Sequence, residues 1–179
     1  MKIFLIGGKA RHGKDTSADL IQKYLEAKGL RVCRSQISRY LKYYIKDHFA
    51  WNGSDETKPR DLLQELGTDI IRQKLNKPRF FIDRTIEDIE ILSNFFDCIL
   101  ITDIRYPDEF DLIKEKYPED TIKIIIRRIN FEESLNPKQQ QHLTETALDN
   151  YEDYDYLIIN DSLEKLAEDV KKILEKENL

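Results

Sequence analysis

Gly8-Lys9-Ala10-Arg11-His12-Gly13-Lys14-Asp15-Thr16 sets two glycines five positions apart, with a lysine directly after the second. That is the spacing of a loop that wraps a polyphosphate. Glycines permit the turn and let backbone N–H groups approach phosphate oxygens closely. Upstream, Lys2–Ile6 is a short apolar run stopped by Gly7-Gly8, which reads as a buried strand. Downstream, Ala18, Ile21 and Leu25 recur at helical spacing until Gly29 ends the pattern. A helix starting at the loop points its positive end at the same phosphates. Gly8, Arg11, His12, Gly13, Lys14, Asp15 and Thr16 are therefore the expected polyphosphate side of a site, with Lys14 as its clamp.

The pattern departs from the usual loop at one place. The hydroxyl that ordinarily follows the lysine and ligates Mg²⁺ is replaced by Asp15, with Thr16 behind it. A carboxylate is a harder ligand and can serve directly or through water. As a plain first-turn acid it would also suit the helix dipole.

Beyond the loop, apolar runs at Leu30–Ser35, Asp97–Thr102, Ile122–Ile126 and Tyr156–Asn160 read as further strands. Helical patterns fall between them: Leu41–Phe49, the run through Leu62, Leu63, Leu66, Ile70 and Ile71, Ile82–Phe95, and a helix begun by Pro107 with Asp108 and Glu109. Asp161 with Glu164 suggests a capping box for a last helix. Residues 130–142 have no period and read as a mobile loop. Alternation of this kind predicts one three-layer α/β domain, a five-stranded parallel sheet with helices on both faces. Residues 36–95 would form a helical insert, and about 127–148 a lid. Gly67-Thr68-Asp69 interrupts its helical run, either for close approach to substrate or as a break between two helices.

Composition narrows the function classes. Among 179 residues, 29 Lys+Arg against 34 Asp+Glu leave a net charge of −5, which makes nucleic-acid binding a poor expectation. Two cysteines, Cys33 and Cys98, and three scattered histidines do not make a zinc or other metal cluster. No apolar stretch is long enough to span a bilayer, and the first residues do not resemble a secretion signal, so a cytoplasmic location is expected.

A second carboxylate, Asp103, ends the third strand in Ile101-Thr102-Asp103-Ile104-Arg105. Such a position suits an acid associated with Mg²⁺, or one that caps a turn. Nothing beside it would orient a hydrolytic water; its neighbours are Ile104 and Arg105. Arg105, Arg127 and Arg128 fall at strand ends, where cations can bring two anions together and stabilise a transferring phosphoryl group. This set favours transfer to a phosphate-bearing acceptor over hydrolysis.

With these blocks, together with Leu62-Leu63-Gln64-Glu65-Leu66-Gly67-Thr68-Asp69, His142-Leu143-Thr144-Glu145 and Ile159-Asn160-Asp161-Ser162, the chain resembles the phage-type deoxynucleoside monophosphate kinases. The resemblance implies ATP as donor, Mg²⁺ held near Asp15 and Asp103, and a small-molecule monophosphate as acceptor. It implies Lys14, Arg105, Arg127 and Arg128 as catalytic residues, the two strand-end arginines acting from the lid. Asn160 and Asp161 would meet the adenine. Ser38, Arg39, Lys42, Gly67, Thr68, Arg105, His142 and Glu145 would face the acceptor, although the His142–Glu145 block could equally be a polar helix cap. A homodimer is what the family suggests. The chain also resembles animal-type phosphomevalonate kinase in its Lys-Asp loop and Asp-x-Arg element, so a non-nucleotide monophosphate is a second acceptor. A non-catalytic nucleotide-binding regulator is the reading from a different class.

Overall fold

The computed structural model describes residues 1–129 and 135–179. Five strands, β1 (Lys2–Gly7), β2 (Val32–Ser35), β3 (Cys98–Ile104), β4 (Thr121–Arg128) and β5 (Tyr156–Asn160), form one sheet in the order β2-β3-β1-β4-β5. Every neighbouring pair is parallel. The five-stranded parallel sheet expected from the sequence is present, and each strand lies within a residue or two of its apolar run.

Near-continuous apolar strands demand cover on both faces. Phe4 and Ile6 of β1 pack with Ile21 and Leu25 of α1 (Lys14–Ala27) and with Leu166 and Val170 of α8 (Leu163–Lys176). Ile3 and Leu5 point the other way, into a core shared with α2 (Arg39–His48), α4 (Phe80–Leu92) and α5 (Pro107–Lys116). The sheet is thus the middle of three layers.

Between α2 and α4, α3 (Arg60–Gln64) runs without interruption into a π-helical stretch, Glu65–Lys74. Neither expectation for Gly67 describes this segment fully. The backbone does not break; it widens its turn, a form often found near functional sites. Gly67 packs closely, since a Cβ there would lie 2.8 Å from Leu41 Cδ2 and that side chain would have to shift.

Two further expectations are corrected. Pro137 does not mark a structureless loop but occupies the first turn of α6 (Pro137–Gln140), with Asn136 as its cap; α7 (Leu143–Thr146) follows. Residues 130–134 of the expected loop and lid lie outside the described residues. The last helix is capped by Ser162, which accepts from the Lys165 amide at 3.2 Å, and not by Asp161.

Because all strands are parallel, the segments after β1, β2, β3, β4 and β5 emerge at one edge of the sheet. Ligands bind at that edge in open α/β sheets.

Candidate active site

The turn after β1 is held in conformations that few side chains accept. Gly8 has φ +140° and Gly13 φ +104°, while Arg11 adopts a left-handed φ of 59°. The neighbouring strand ends clamp it: Asn160 Nδ2 donates to the His12 carbonyl at 2.9 Å, and the Arg128 amide donates to His12 Nδ1 at 3.2 Å. Lys14 is buried and folds back on the loop, donating to the carbonyls of Lys9 at 2.6 Å and Gly8 at 2.9 Å. Burial, then the Arg105 charge, push its amine down from 10.5 to about 7, against Glu145, Asp15 and Asp103, which pull it up.

Glu145 of α7 accepts the Ala10 amide at 2.8 Å and the Arg105 Nη1 at 2.8 Å, both on Oε2. Arg105 also donates to the Thr144 carbonyl at 3.2 Å. Asp103 reaches its place through a slip in register. Leu5 faces Ile101 but Gly7 faces Ile104, so β3 carries one extra residue in the interval containing Asp103. Its carboxylate accepts the Ile37 amide at 2.7 Å, the Ser38 amide at 3.0 Å and the Ser38 hydroxyl.

A cavity with about 860 Å³ of free space, its mouth included, opens beside these groups. Of the residues expected to face an acceptor, Ser38, Lys42, Gly67, Thr68, Arg105 and Glu145 line it. Arg39 does not: it pairs with Asp88 and lines a separate basic cleft with Arg34 and Lys46. His142 does not line it either; its ring caps α7, accepting from the Thr144 amide, as the polar-cap alternative had it.

The sequence reading missed Gln64, Arg72, Tyr106 and Glu109 in the same cavity. Glu109 is 3% exposed. It accepts Arg72 Nη2 at 2.5 Å on one oxygen, and the amides of Arg105 at 2.7 Å and Tyr106 at 3.1 Å on the other. Burial pushes its carboxyl up, and Arg72 and the Arg105 amide pull it back. One signal was available: Gln64, Thr68 and Arg72 stand four residues apart, as on one helix face.

A second cleft, lined by Lys14, also has Arg11, Gly13, Asp15, Thr16, Arg128, Asn160 and Asp161 on its walls. Seven of the residues expected on the ATP side, counting Lys14, meet here along with Arg128. Arg127 and Arg128 are the last residues of β4; they line a third cleft with Gly8, His12, Thr144 and Glu145, the last two being the partners of Arg105. Arg127 donates to the Asp149 carbonyl at 3.4 Å, and Arg128 Nη1 donates to the Arg11 carbonyl at 3.3 Å.

Among the described residues no group of three or more His, Cys, Asp or Glu could hold a metal by itself. Mg²⁺ is usually bound by one or two carboxylates plus substrate phosphates and water, and the pair here suits that mode. Asp15 is largely exposed on the cleft, with Arg34 3.3 Å away. Asp103 has both oxygens engaged, which suits contact through water.

The model of the family described as Deoxynucleotide monophosphate kinase matches residues 27–170. The chain is 26% identical over 167 residues to the deoxynucleotide monophosphate kinase of Escherichia phage RB69, covering 90% of this chain and 65% of that one. It therefore spans just under two thirds of that relative's length. Among solved structures, the Mycobacterium tuberculosis APS kinase CysC in complex with AMPPNP and APS is similar at TM-score 0.57 and 12% identity, over 97% of both chains. Shikimate kinase from Aquifex aeolicus is similar at TM-score 0.53 and 14% identity, over 99% of this chain and 98% of that one. Identities this low carry the fold alone.

Proposed function

Given that the chain belongs to the deoxynucleotide monophosphate kinase family, we propose that it transfers the γ-phosphoryl group of ATP to a deoxynucleoside monophosphate, giving the diphosphate and ADP. One observation carries this reading. A phosphate-loop amide and the Arg105 guanidinium both lie 2.8 Å from a single carboxylate oxygen of Glu145, which lines both the cavity suited to an acceptor and a cleft shared with Gly8, Lys9 and His12 of the loop. Groups at that spacing can hold one phosphoryl unit from two sides.

The acceptor phosphate is already ionised at neutral pH, so no general base is needed. Positioning and charge stabilisation do the catalysis. Lys14 leaves its loop carbonyls to meet the β- and γ-phosphates, while Arg105 meets the acceptor phosphate or the phosphoryl group in flight. Arg128, with Asn160 and Asp161, lines the donor cleft. Asp15 would hold Mg²⁺, and Asp103 would order its water; the ion supplies charge neutralisation on the polyphosphate. Residues 135–148 act as the described part of a lid, docked through the Arg105 contacts to Thr144 and Glu145. Two free cysteines suit a reducing cytoplasmic setting.

The test is ADP formation from ATP with Mg²⁺ over a panel of deoxy- and ribonucleoside monophosphates plus phosphomevalonate. Acceptor-dependent ADP with a deoxynucleotide is expected. Turnover only with phosphomevalonate, or ADP formed without any acceptor, would overturn the assignment.

A further inference from the structure

Arg39, which the acceptor cavity does not use, belongs to a cleft of its own at the β2 edge of the sheet. With Arg34, Lys42 and Lys46 it lines about 720 Å³ of free space, the mouth included, and no Asp or Glu among the described residues stands on the walls. Four cations gathered in this way contrast with a chain whose net charge is −5.

Two of the four are anchored and two are uncompensated. Arg34 is held by Asp15 and Asp19, and Arg39 by Asp88, three carboxylates that lie outside the cleft's walls. Neither lysine has an ion-pair partner among the described residues: Lys42 Nζ donates to Gln36 Oε1 at 2.5 Å, and Lys46 Nζ sits 5.6 Å from the centre of the Trp51 ring. Burial pushes the Lys42 amine below the ordinary lysine value. A desolvated ammonium with no carboxylate beside it is costly, and a bound anion offsets that cost.

Hydrogen-bonding groups are unmet here as well. Ser35, the last residue of β2, is 6% exposed and lines the cleft, yet its hydroxyl has no partner among the described residues. Nε of Arg39 is likewise buried and unpartnered. Such groups are uncommon in folded proteins and mark a place for a ligand or water. Beside them the Tyr43 ring is 54% exposed, an open face on which a base can stack.

We propose that this cleft binds a nucleoside triphosphate as an effector, separate from the donor, with its phosphates among the four cations and its base against Tyr43. Arg39, Lys42 and Lys46 follow one another at helical spacing along α2, a length of about 10 Å. A single phosphate is too short to engage both ends, and a chain of three is not. Lys42 lines the acceptor cavity too. An anion that draws Lys42 into the outer cleft takes a cation away from the acceptor, so a bound triphosphate raises the acceptor KM. That consequence rests on the kinase reading above; the binding does not.

Calorimetry with dTTP on Lys14→Ala, whose donor cleft has lost its clamp, isolates the second site. One equivalent should still bind. Adding Lys46→Gln or Tyr43→Ala, both changes at exposed side chains, should weaken it at least about 10-fold. Inorganic tripolyphosphate should bind more weakly than dTTP, and Tyr43→Ala should erase that difference. In turnover at ATP levels that saturate the donor cleft, added dTTP should raise the acceptor KM about 5-fold or more in the wild type. Lys46→Gln should turn over normally without dTTP and ignore it when added. No binding in Lys14→Ala, binding indifferent to Lys46 and Tyr43, or tripolyphosphate binding as tightly as dTTP overturns the proposal. An acceptor KM that dTTP leaves unmoved, or moves equally in Lys46→Gln, overturns the effector role. Binding as expected, with no turnover on any acceptor, removes only the kinase reading.

Discussion

Oε2 of Glu145 lies 2.8 Å from the Ala10 amide nitrogen and 2.8 Å from Nη1 of Arg105. The protein's own carboxylate thus satisfies a donor of the glycine-rich loop and the Arg105 cation with one atom. It also fastens α7 to the loop and to the turn after β3.

Removing the charge while keeping an acceptor oxygen separates these roles. Glu145→Gln should bind ATP about 3- to 10-fold more tightly, because a negative charge beside the loop opposes an incoming polyphosphate. Titration calorimetry measures this, and weaker binding would mean that the carboxylate serves the ATP-bound state. Glu145→Ala, which strands both donors, should cost about 1–3 kcal/mol in denaturant unfolding.

Lys14 makes ATP binding proton-linked. Its amine titrates near 7 in the empty protein, below its ordinary 10.5, and an adjacent polyphosphate raises it again. At pH 8 ATP binding should take up close to one proton, on the order of a full charge. Calorimetry in two buffers of different ionisation enthalpy reads it; identical heats would place the charge on Lys14 before ATP arrives. Because the folded value lies below the unfolded one, a protonated Lys14 costs the native state. The empty protein should therefore gain stability as pH rises from about 7 towards 10.5.

Arg105→Ala should lower kcat/KM for the acceptor by about 100- to 1,000-fold, the scale of losing one fixed donor to developing charge. ATP affinity should move far less, since Arg105 lines the cavity proposed for the acceptor and not the cleft proposed for ATP. Comparable losses for both substrates would assign Arg105 to the fold rather than to the acceptor.

Gly67→Ala tests the packing at the π-helical stretch. Helix propensity favours alanine by about 1 kcal/mol, but its Cβ would press on Leu41 Cδ2 at 2.8 Å, and Leu41 lines the cavity. Thermal stability should change little, while the acceptor KM rises several-fold as Leu41 is pushed inward. An unchanged KM would show that Leu41 yields in another direction.

Local chemistry explains what could be read from the sequence. The loop from Gly8 to Thr16 and the strand ahead of it are legible because glycine spacing and apolar runs are properties of adjacent residues. Asp103 and Arg105 were placed by the same logic, from the end of an apolar strand. Arg39 was misdirected because Asp88, which holds it, is 49 residues away. Arg72 and Glu109 went unnoticed for the same reason: their pairing spans 37 residues and is made only when the π-helical stretch packs on the turn after β3. The start of α6 was missed because Pro137 signals a break as well as it signals a first turn. Asp161 and Ser162 are both good caps, and only tertiary position chooses between them.

The Glu145 carboxylate also bears on inhibition by orthophosphate. Orthophosphate is the size of one phosphoryl unit and, in an undefended site, would settle between Arg105 and the loop. Here it competes with a tethered carboxylate, whose effective concentration far exceeds that of a free solute. A triphosphate, gripped along the loop and the start of α1, has enough additional contacts to displace it. The site can therefore stay open to nucleotides in a phosphate-rich solution.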